Sequence, residues 1–371
     1  MNERFGSSEE RRVTVEVPGS PYEVVVGRGP SSRLGSISGV FAEAENVFVV
    51  TDAELEDMAL ERTGSLGSGG GKVHRVILEP GEAAKSLRSV EVIYERLATA
   101  GAHRHDVIVA FGGGVVTDVA GFVASTFNRG MPLVNVPSTL LGQVDAAIGG
   151  KTGINLAQGK NLVGTIYQPS VVVCDIDLLA SLPPREISSG LAEVVKYGFI
   201  ADPSILDIVD RRAHDLIQRN AELLEDIVVR CVAIKAGVVA RDERESGERA
   251  HLNYGHTFAH AFEHAAGYGE IRHGEAVALG MMAAAYLARA LGLVDEDVVV
   301  RHRRALEAVG LPVSIETSVP ELEEAWRHDK KYRRGVRFVL LEKLPGGVVA
   351  VRSGVDAPTD ALVGAIERLA T

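Results

Sequence analysis

The sequence predicts an α/β domain followed by a mainly α-helical one, and three observations carry that prediction. Short β-branched runs alternate with helical stretches through the first half, the pattern of parallel α/β units. After Leu182-Pro183-Pro184 the periodicity is helical almost throughout. A hydrophobic content of 46% over 371 residues is enough for two cores, which sets domains at 1–180 and 181–371.

Strands are predicted over 12–17, 22–26, 47–51, 73–78, 107–111, 133–136 and 171–175. The first two, joined by Pro18-Gly19-Ser20-Pro21, read as an antiparallel pair outside the parallel core. The Gly/Ser-rich stretch 64–71 reads as a surface loop. Helices are predicted over 119–127, 188–199, 203–218, 221–240, 249–266, 274–291 and 296–309, with a late hairpin over 336–341 and 347–351.

Composition narrows the function classes. Two cysteines, Cys174 and Cys231, argue against a disulfide framework and suit the reducing cytoplasm. The start MNERFGSSEERR lacks an apolar signal core, and the longest apolar stretch, 276–288, has 13 residues, too few to span a bilayer. No membrane partner is expected. A formal charge of −11 disfavours a nucleic-acid partner, because phosphate backbones need clustered cations. Yet Arg129, Lys151, Lys160, Lys196, Lys235, Arg249 and Lys330 mostly lie in or beside motifs bearing Gly, His or Asn. Local positive charge in an acidic chain suits a small anionic substrate.

Two glycine-rich runs are candidate phosphate sites. Gly112-Gly113-Gly114-Val115-Val116-Thr117-Asp118 follows a predicted strand and leads into a helix, so its N–H groups can approach an anion at the helix N-terminus. Thr117 stands where Gly-x-Gly-x-x-Gly has its third glycine, which makes the fingerprint imperfect. Asp52, at an earlier strand end, could hold a ribose hydroxyl in a variant nucleotide fold or simply cap the next helix. In the second run, Gly149-Gly150-Lys151-Thr152, Asp145 occupies the place of the leading P-loop glycine, which excludes an NTPase. Lys151 and Lys160, nine residues apart and each after a glycine, instead suit anion contacts from a hairpin-like loop.

Five of the eleven histidines lie between Arg249 and His273. Read as one helix, 249–266 puts Arg249, Asn253, His256 and His260 within about 60° of one another at roughly 100° per residue. A solvated helix face is the plain alternative. The apolar residues on the other sides, Leu252, Tyr254, Phe258 and Phe262, argue instead for a buried helix whose polar stripe meets a ligand or metal. The absence of His-Glu-x-x-His excludes the zinc-protease pattern. Glu193 shares a helix face with Lys196, and a carboxylate with two histidines is a common open metal site.

The succession GGGVVTDVAGFVASTFNRG, VPSTLLGQVDAAIGGKTGINLAQGKN, GLAEVVKYG, RDERESGERAHLNYGHTFAHAFEH, RHGEAVALGM and DKK closely resembles the 3-dehydroquinate synthase family of sugar-phosphate cyclases. The resemblance runs from about residue 22 to 347. It implies a Rossmann-like NAD-binding α/β domain, a helical metal- and substrate-binding domain, and an active site in the cleft between them. It also implies NAD+ and Zn2+ (or Co2+) as cofactors and a homodimer.

By the same resemblance Glu193, His256 and His273 are the metal ligands. The cofactor contacts are Asp52, the loop Gly81, Glu82, Ala83, Ala84 and Lys85, then Gly114, Val115, Val116, Thr117 and Asp118, with Ser138, Thr139, Lys151, Lys160 and the segment Leu178, Leu179, Ala180 and Ser181. Substrate contacts are Arg129, Asp145, Lys151, Asn161, Lys196, Lys235, Arg249, Asn253, His260 and Lys330, of which Lys151, Lys196, Lys235 and His260 take the catalytic roles. Thr117 replaces a family glycine, Ser138 and Ser181 stand where threonine is common, and Glu54 stands where asparagine is. The implied reaction is conversion of 3-deoxy-D-arabino-heptulosonate 7-phosphate to 3-dehydroquinate and phosphate. Related cyclases, including an aminodehydroquinate synthase, and a metal-dependent polyol dehydrogenase are the alternatives.

Overall fold

The computed structural model describes residues 10–69, 71–266, 271–327, 336–345 and 347–370. The chain forms two compact units, the first comprising the described residues up to Leu182 together with Ala221–Ala240, the second Pro183–Asn220 with the described residues from Arg241 on.

The first unit is built on strands β1 (Arg11–Val15), β2 (Tyr22–Gly27), β3 (Asn46–Asp52), β4 (Lys72–Leu78), β5 (Val107–Gly112), β6 (Leu133–Pro137) and β9 (Val171–Asp175), with a separate hairpin of β7 (Lys151–Leu156) and β8 (Gly159–Ile166). The seven-stranded sheet runs β1-β2-β9-β6-β5-β3-β4. Its central strands are buried along their whole length, as expected of a parallel sheet covered on both faces. Alternate residues serve opposite cores. Phe48, Val50, Ile108 and Ala110 pack with Ile93 and Leu97 of α3 (Leu87–Thr99) and Val119 and Val123 of α4 (Gly114–Thr126). Val47, Val49, Val107 and Val109 pack with Ile37 of α1 (Leu34–Ile37) and Ala59 of α2 (Glu56–Thr63).

One strand expectation and one loop expectation change. β1 and β2 are antiparallel, but β2 also pairs in parallel with β9, from Glu23↔Val171 to Gly27↔Asp175. It therefore belongs to the main sheet, because Val24, Val25 and Val26 are fully buried there. The 64–71 stretch contains a 3-10 turn, Gly64–Gly69.

The second unit contains α5 (Pro184–Ile200), α6 (Pro203–Ile217), α8 (His256–Ala265), α9 (His273–Ala290), α10 (Glu296–Ala308), α11 (Val319–Arg327), α12 (Thr359–Leu369) and the antiparallel pair β10 (Phe338–Lys343) and β11 (Val349–Val355). Helix α7 (Ala221–Arg241) lies after the expected boundary, yet it goes with the first unit. There Glu225 pairs with Arg11 at 3.3 Å and Lys235 with Asp145 at 2.6 Å.

Helix α9 is the centre of the second unit, packed against α5, α8, α10, α12 and β10. Its small residues let backbones approach closely. A Cβ on Gly280 would lie 2.1 Å from Gly255 O, and one on Gly274 would lie 2.0 Å from Ser189 O. No helix of the described residues is long and apolar enough to cross a membrane. Gly280→Ala is expected to destabilise the protein by about 1–3 kcal/mol or more, as overpacked cores do, measured as a lower urea midpoint at unchanged m-value.

Candidate functional site

In the first unit the chain passes outward from β3 to β4, then returns to place β5 on the other side of β3 and proceeds to β6 and β9. The strand order thus reverses between β3 and β5, the position where open α/β sheets bind ligands at the carboxyl edge. Val50 pairs with Ala110, so the strand ends Asp52 and Gly112 lie level. Gly81–Lys85 follows β4, Gly114–Asp118 follows β5, Ser138 and Thr139 follow β6, and Leu178–Ser181 follows β9. The predicted cofactor residues on these strand ends and loops therefore share one edge of one sheet.

Local packing explains the glycines and the exceptions. A Cβ on Gly112 would meet Val116 at 2.6 Å, and one on Gly113 would meet Thr139 at 3.3 Å. Helix α4 starts at Gly114 with no side-chain cap and no acidic residue in its first turn, leaving its positive end to an anion. The Thr117 hydroxyl donates to Gly114 O at 3.1 Å, so it turns back onto its own helix. Asp52 Oδ1 accepts from the N–H groups of Glu54 and Leu55 at 3.0 and 3.2 Å, closing the turn ahead of α2 and not capping that helix, whose N-cap is Leu55 without a side-chain cap. Burial pushes its carboxyl up from the usual range against those two bonds. Lys85 Nζ pairs with Asp118 Oδ2 at 2.5 Å, tying the loop after β4 to α4.

The hairpin presents Lys151 and Lys160 on β7 and β8. The sequence reading named a hairpin-like loop but no strands there, because KTGINL and GKNLVGTI lack alternating apolar residues. Arg129 and Asn161, both predicted substrate contacts, have left-handed backbones with φ of 61° and 52°. Such conformations in non-glycine residues concentrate at functional sites. Asp145 sits in a π-helical turn, Gly142–Ala146, and receives Lys235 Nζ at 2.6 Å on both its backbone and carboxylate oxygens.

In the second unit Glu193 is fully buried on α5. Its Oε2 is ion-paired with Lys196 Nζ, while Oε1 faces His256 Nε2 at 3.5 Å and His273 Nε2 at 4.0 Å. One ligand atom from each of Glu193, His256 and His273 lies within 4.8 Å of the others. The donor set is that of an open divalent-metal site.

Neighbours orient these ligands. His256 Nδ1 bonds to Tyr254 O at 3.2 Å, which directs Nε2 to the cluster. Burial, then the Lys196 cation and the other two histidines, hold His256 well below its ordinary pKa, so its neutral ring is the form suited to a metal. Glu263 lies 3.6 Å behind His273 Nδ1. The Tyr254 hydroxyl meets His302 Nε2 at 2.8 Å, while His302 Nδ1 donates to Val298 O at 2.7 Å. This chain fixes the segment entering α8.

The single helix predicted over 249–266 is not formed. A 3-10 turn, Glu248–Asn253, ends before Tyr254, which is extended at φ −53° and ψ 125°. Gly255, with φ 80°, then starts α8. The break lies at Gly255, whose φ of 80° is left-handed and outside the helical range. His256 and His260 remain neighbours, their rings 5.8 Å apart, but Arg249 and Asn253 belong to the preceding turn. There Arg249 is buried and its guanidinium donates to Glu243 O. Asn253 Nδ2 donates to Glu245 Oε1 at 2.5 Å. Asp242 organises this loop, accepting from the N–H groups of Ser246, Gly247 and Arg249 at 2.9, 2.7 and 3.0 Å. Sequence reading missed Asp242, Glu245 and Glu263; the density of acids in RDERESGER was the available signal. Lys330 lies outside the described residues.

Burial holds His302 neutral, with a pKa pushed down to about 4 from its ordinary 6.5. Its folded value is depressed, so its contribution is complete above pH 6.5 and is lost as pH falls toward 4. The unfolding free energy read from urea titrations should therefore drop over that window, by about a few kcal/mol in total. His302→Asn should flatten that part of the profile.

The family descriptions 3-dehydroquinate synthase N-terminal and 3-dehydroquinate synthase C-terminal match residues 75–189 and 190–332. The 3-dehydroquinate synthase of Thermobifida fusca is 46% identical over 354 residues, covering 95% of this chain and 94% of that protein. The Mycobacterium leprae enzyme of the same name is 45% identical, covering 92% and 95%. Among solved structures, a 2-deoxy-scyllo-inosose synthase complexed with carbaglucose-6-phosphate, NAD+ and Co2+ superposes with a TM-score of 0.84 at 28% identity, over 96% of this chain and 99% of that one. The 2-epi-5-epi-valiolone synthase of Streptomyces hygroscopicus, with NAD+ and Zn2+ bound, gives 0.82 at 29% identity, over 94% and 96%. A glycerol dehydrogenase from Schizosaccharomyces pombe, at 16% identity and a TM-score of 0.68 over 98% and 91%, shares the fold.

Proposed function

Since the chain belongs to the 3-dehydroquinate synthase family, we propose that it converts 3-deoxy-D-arabino-heptulosonate 7-phosphate to 3-dehydroquinate and inorganic phosphate as a carbon–oxygen lyase dependent on NAD+ and a divalent metal. The observation that carries the metal requirement is the gathering of one ligand atom each from Glu193, His256 and His273 within 4.8 Å of one another, the carboxylate-and-two-histidine donor set of an open divalent-metal site. The sheet edge bearing Asp52, Gly81–Lys85, Gly114–Asp118, Ser138, Thr139 and Leu178–Ser181 supports the cofactor reading, together with Lys151 and Lys160 on the hairpin.

NAD+ on the strand-end loops, and Zn2+ or Co2+ held by Glu193, His256 and His273, would supply a reversible hydride acceptor and Lewis-acid polarisation of adjacent hydroxyls. Oxidation at C5 acidifies the C6 proton, and phosphate leaves from C7. Reduction at C5, ring opening and an internal aldol closure complete the sequence. Arg249 and Lys330, with Lys151, orient the substrate carboxylate; Arg129, Lys160, Asn161, Lys196, Asn253 and His260 bind phosphate and hydroxyls. Asp145 holds the Lys235 ammonium in place at 2.6 Å, and Lys235 and His260 are the auxiliary proton-transfer groups. The substrate phosphate itself is a base for the C6 proton. The same reading makes the protein a cytoplasmic homodimer.

Phosphate release from the heptulosonate phosphate should fall at least about 100-fold after chelation, in line with loss of an essential Lewis acid, and return with Zn2+ or Co2+. Release unaffected by rigorous metal removal would overturn the metal role. Net NADH accumulation would point to the polyol dehydrogenase class instead. Arg249→Ala should lower kcat/KM by roughly 100-fold, chiefly through KM; an unchanged value refutes its assignment to the carboxylate.

A further inference from the structure

Asn155, which none of the roles above uses, joins two candidate ligand-binding segments of the first unit. It lies on β7 where the hairpin register shifts between Ile154 and Leu156. Ile154 pairs with Val163 and Leu156 with Gly159, so Asn155 alone faces Lys160, Asn161 and Leu162. A bulge of this kind leaves backbone groups outside the ladder and re-aims the side chains it carries. Here the Asn161 N–H, at the residue with φ 52°, donates to Asn155 Oδ1 at 2.9 Å. The amide's other end reaches the loop after β4, with Nδ2 donating to Glu82 Oε1 at 2.7 Å. The Asn155 backbone N–H donates to Lys85 O at 2.8 Å in the same loop. Lys85 in turn is paired with Asp118 on α4.

We propose that Asn155 is a positioning residue that locks the Gly81–Lys85 loop to the bulged strand carrying Lys160 and Asn161, so that nucleotide and sugar-phosphate affinities are coupled through it. One planar amide fills both roles because it offers an acceptor on one side and a donor on the other. A ligand ordering the loop thereby also orders the bulge, and the coupling is reciprocal. The backbone bond from Asn155 N to Lys85 O survives any side-chain change, so the side-chain contribution is separable.

The inference rests on the cyclase reading, and the experiment separates the two. NAD+ affinity is measured by calorimetry on the full-length, metal-loaded chain, and KM and kcat by phosphate release. Asn155→Ala should weaken NAD+ binding and raise KM by roughly tenfold each, as loss of two hydrogen bonds would, with a smaller change in kcat. Asn155→Asp keeps the acceptor for the Asn161 N–H but sets a carboxylate against Glu82, and should be at least as impaired. Combining Asn155→Asp with Glu82→Gln exchanges donor and acceptor across the same contact. In the Glu82→Gln variant the amide Oε1 can still accept from Asn155 Nδ2, so the pair should recover both affinities relative to Asn155→Asp alone. Asn155 variants with wild-type NAD+ affinity and KM, or a double variant no better than Asn155→Asp, would overturn the proposal while leaving the cyclase reading intact. A wild-type chain that neither binds NAD+ nor releases phosphate would overturn that reading and this inference with it. A variant that fails to fold is set aside in favour of the Asn155→Asp and Glu82→Gln cycle, whose coupling alone decides.

Discussion

Backbone-to-backbone contact among α5, α8 and α9 is the constraint on which the metal-ligand cluster depends. Gly274 rests on the Ser189 carbonyl and Gly280 on that of Gly255, at separations no Cβ could share. Those contacts bring His273, at the start of α9, and His256, at the start of α8, to a carboxylate in the middle of α5. Both histidines therefore sit on first helical residues, whose direction is fixed by the turn that precedes them. The Tyr254–His302 pair and the Arg272–Glu275 capping interaction hold those turns. Alanine-rich α9 makes the arrangement possible, because its small side chains let four helices and a strand pack around one axis.

Much of this was legible in the sequence because it rests on short-range patterns. The runs VFVVT, VIVAF and VVVCD announce buried parallel strands, and each was found within a residue or two of its expected ends. The glycine loop after β5 and the helices beyond residue 182 follow from equally local signals. Glu193, His256 and His273 emerged from residue type and from family resemblance, and their ligand atoms do gather. What periodicity could not show was the break at Tyr254-Gly255, since a glycine within a polar stripe is tolerated in many helices. Gly255 takes its left-handed conformation where a Cβ would lie 2.9 Å from Met281 N, a neighbour distant in sequence.

Two further features lay outside sequence reach for the same reason. The association of α7 with the first unit depends on Asp145, ninety residues earlier in the chain, and nothing in its helical pattern names that partner. The hairpin β7–β8 mixes polar and glycine residues with a few apolar ones, of which Ile154 reaches the core of the first unit. Gly121 on α4 leaves room for Thr152, which a Cβ there would strike at 2.5 Å, and Asn155 fastens the far end. Glycine thus acts at distant positions as a condition for close approach rather than as a flexible joint.

The carboxyl edge of the main sheet distributes its candidate contacts over five strand ends. No single loop supplies the whole surface, and each is anchored by its own bonds: Asp52 on its turn, Lys85 on Asp118, Thr139 on the N–H of Gly142. A replacement in one loop then alters one increment of a sum whose other members stay in place, so long as the sites are separate. Thr117, Ser138, Ser181 and Glu54 are departures of this graded sort. An edge assembled in parcels lets a lineage retune how long a nucleotide resides there, one loop at a time, without reopening the question of how the domain folds.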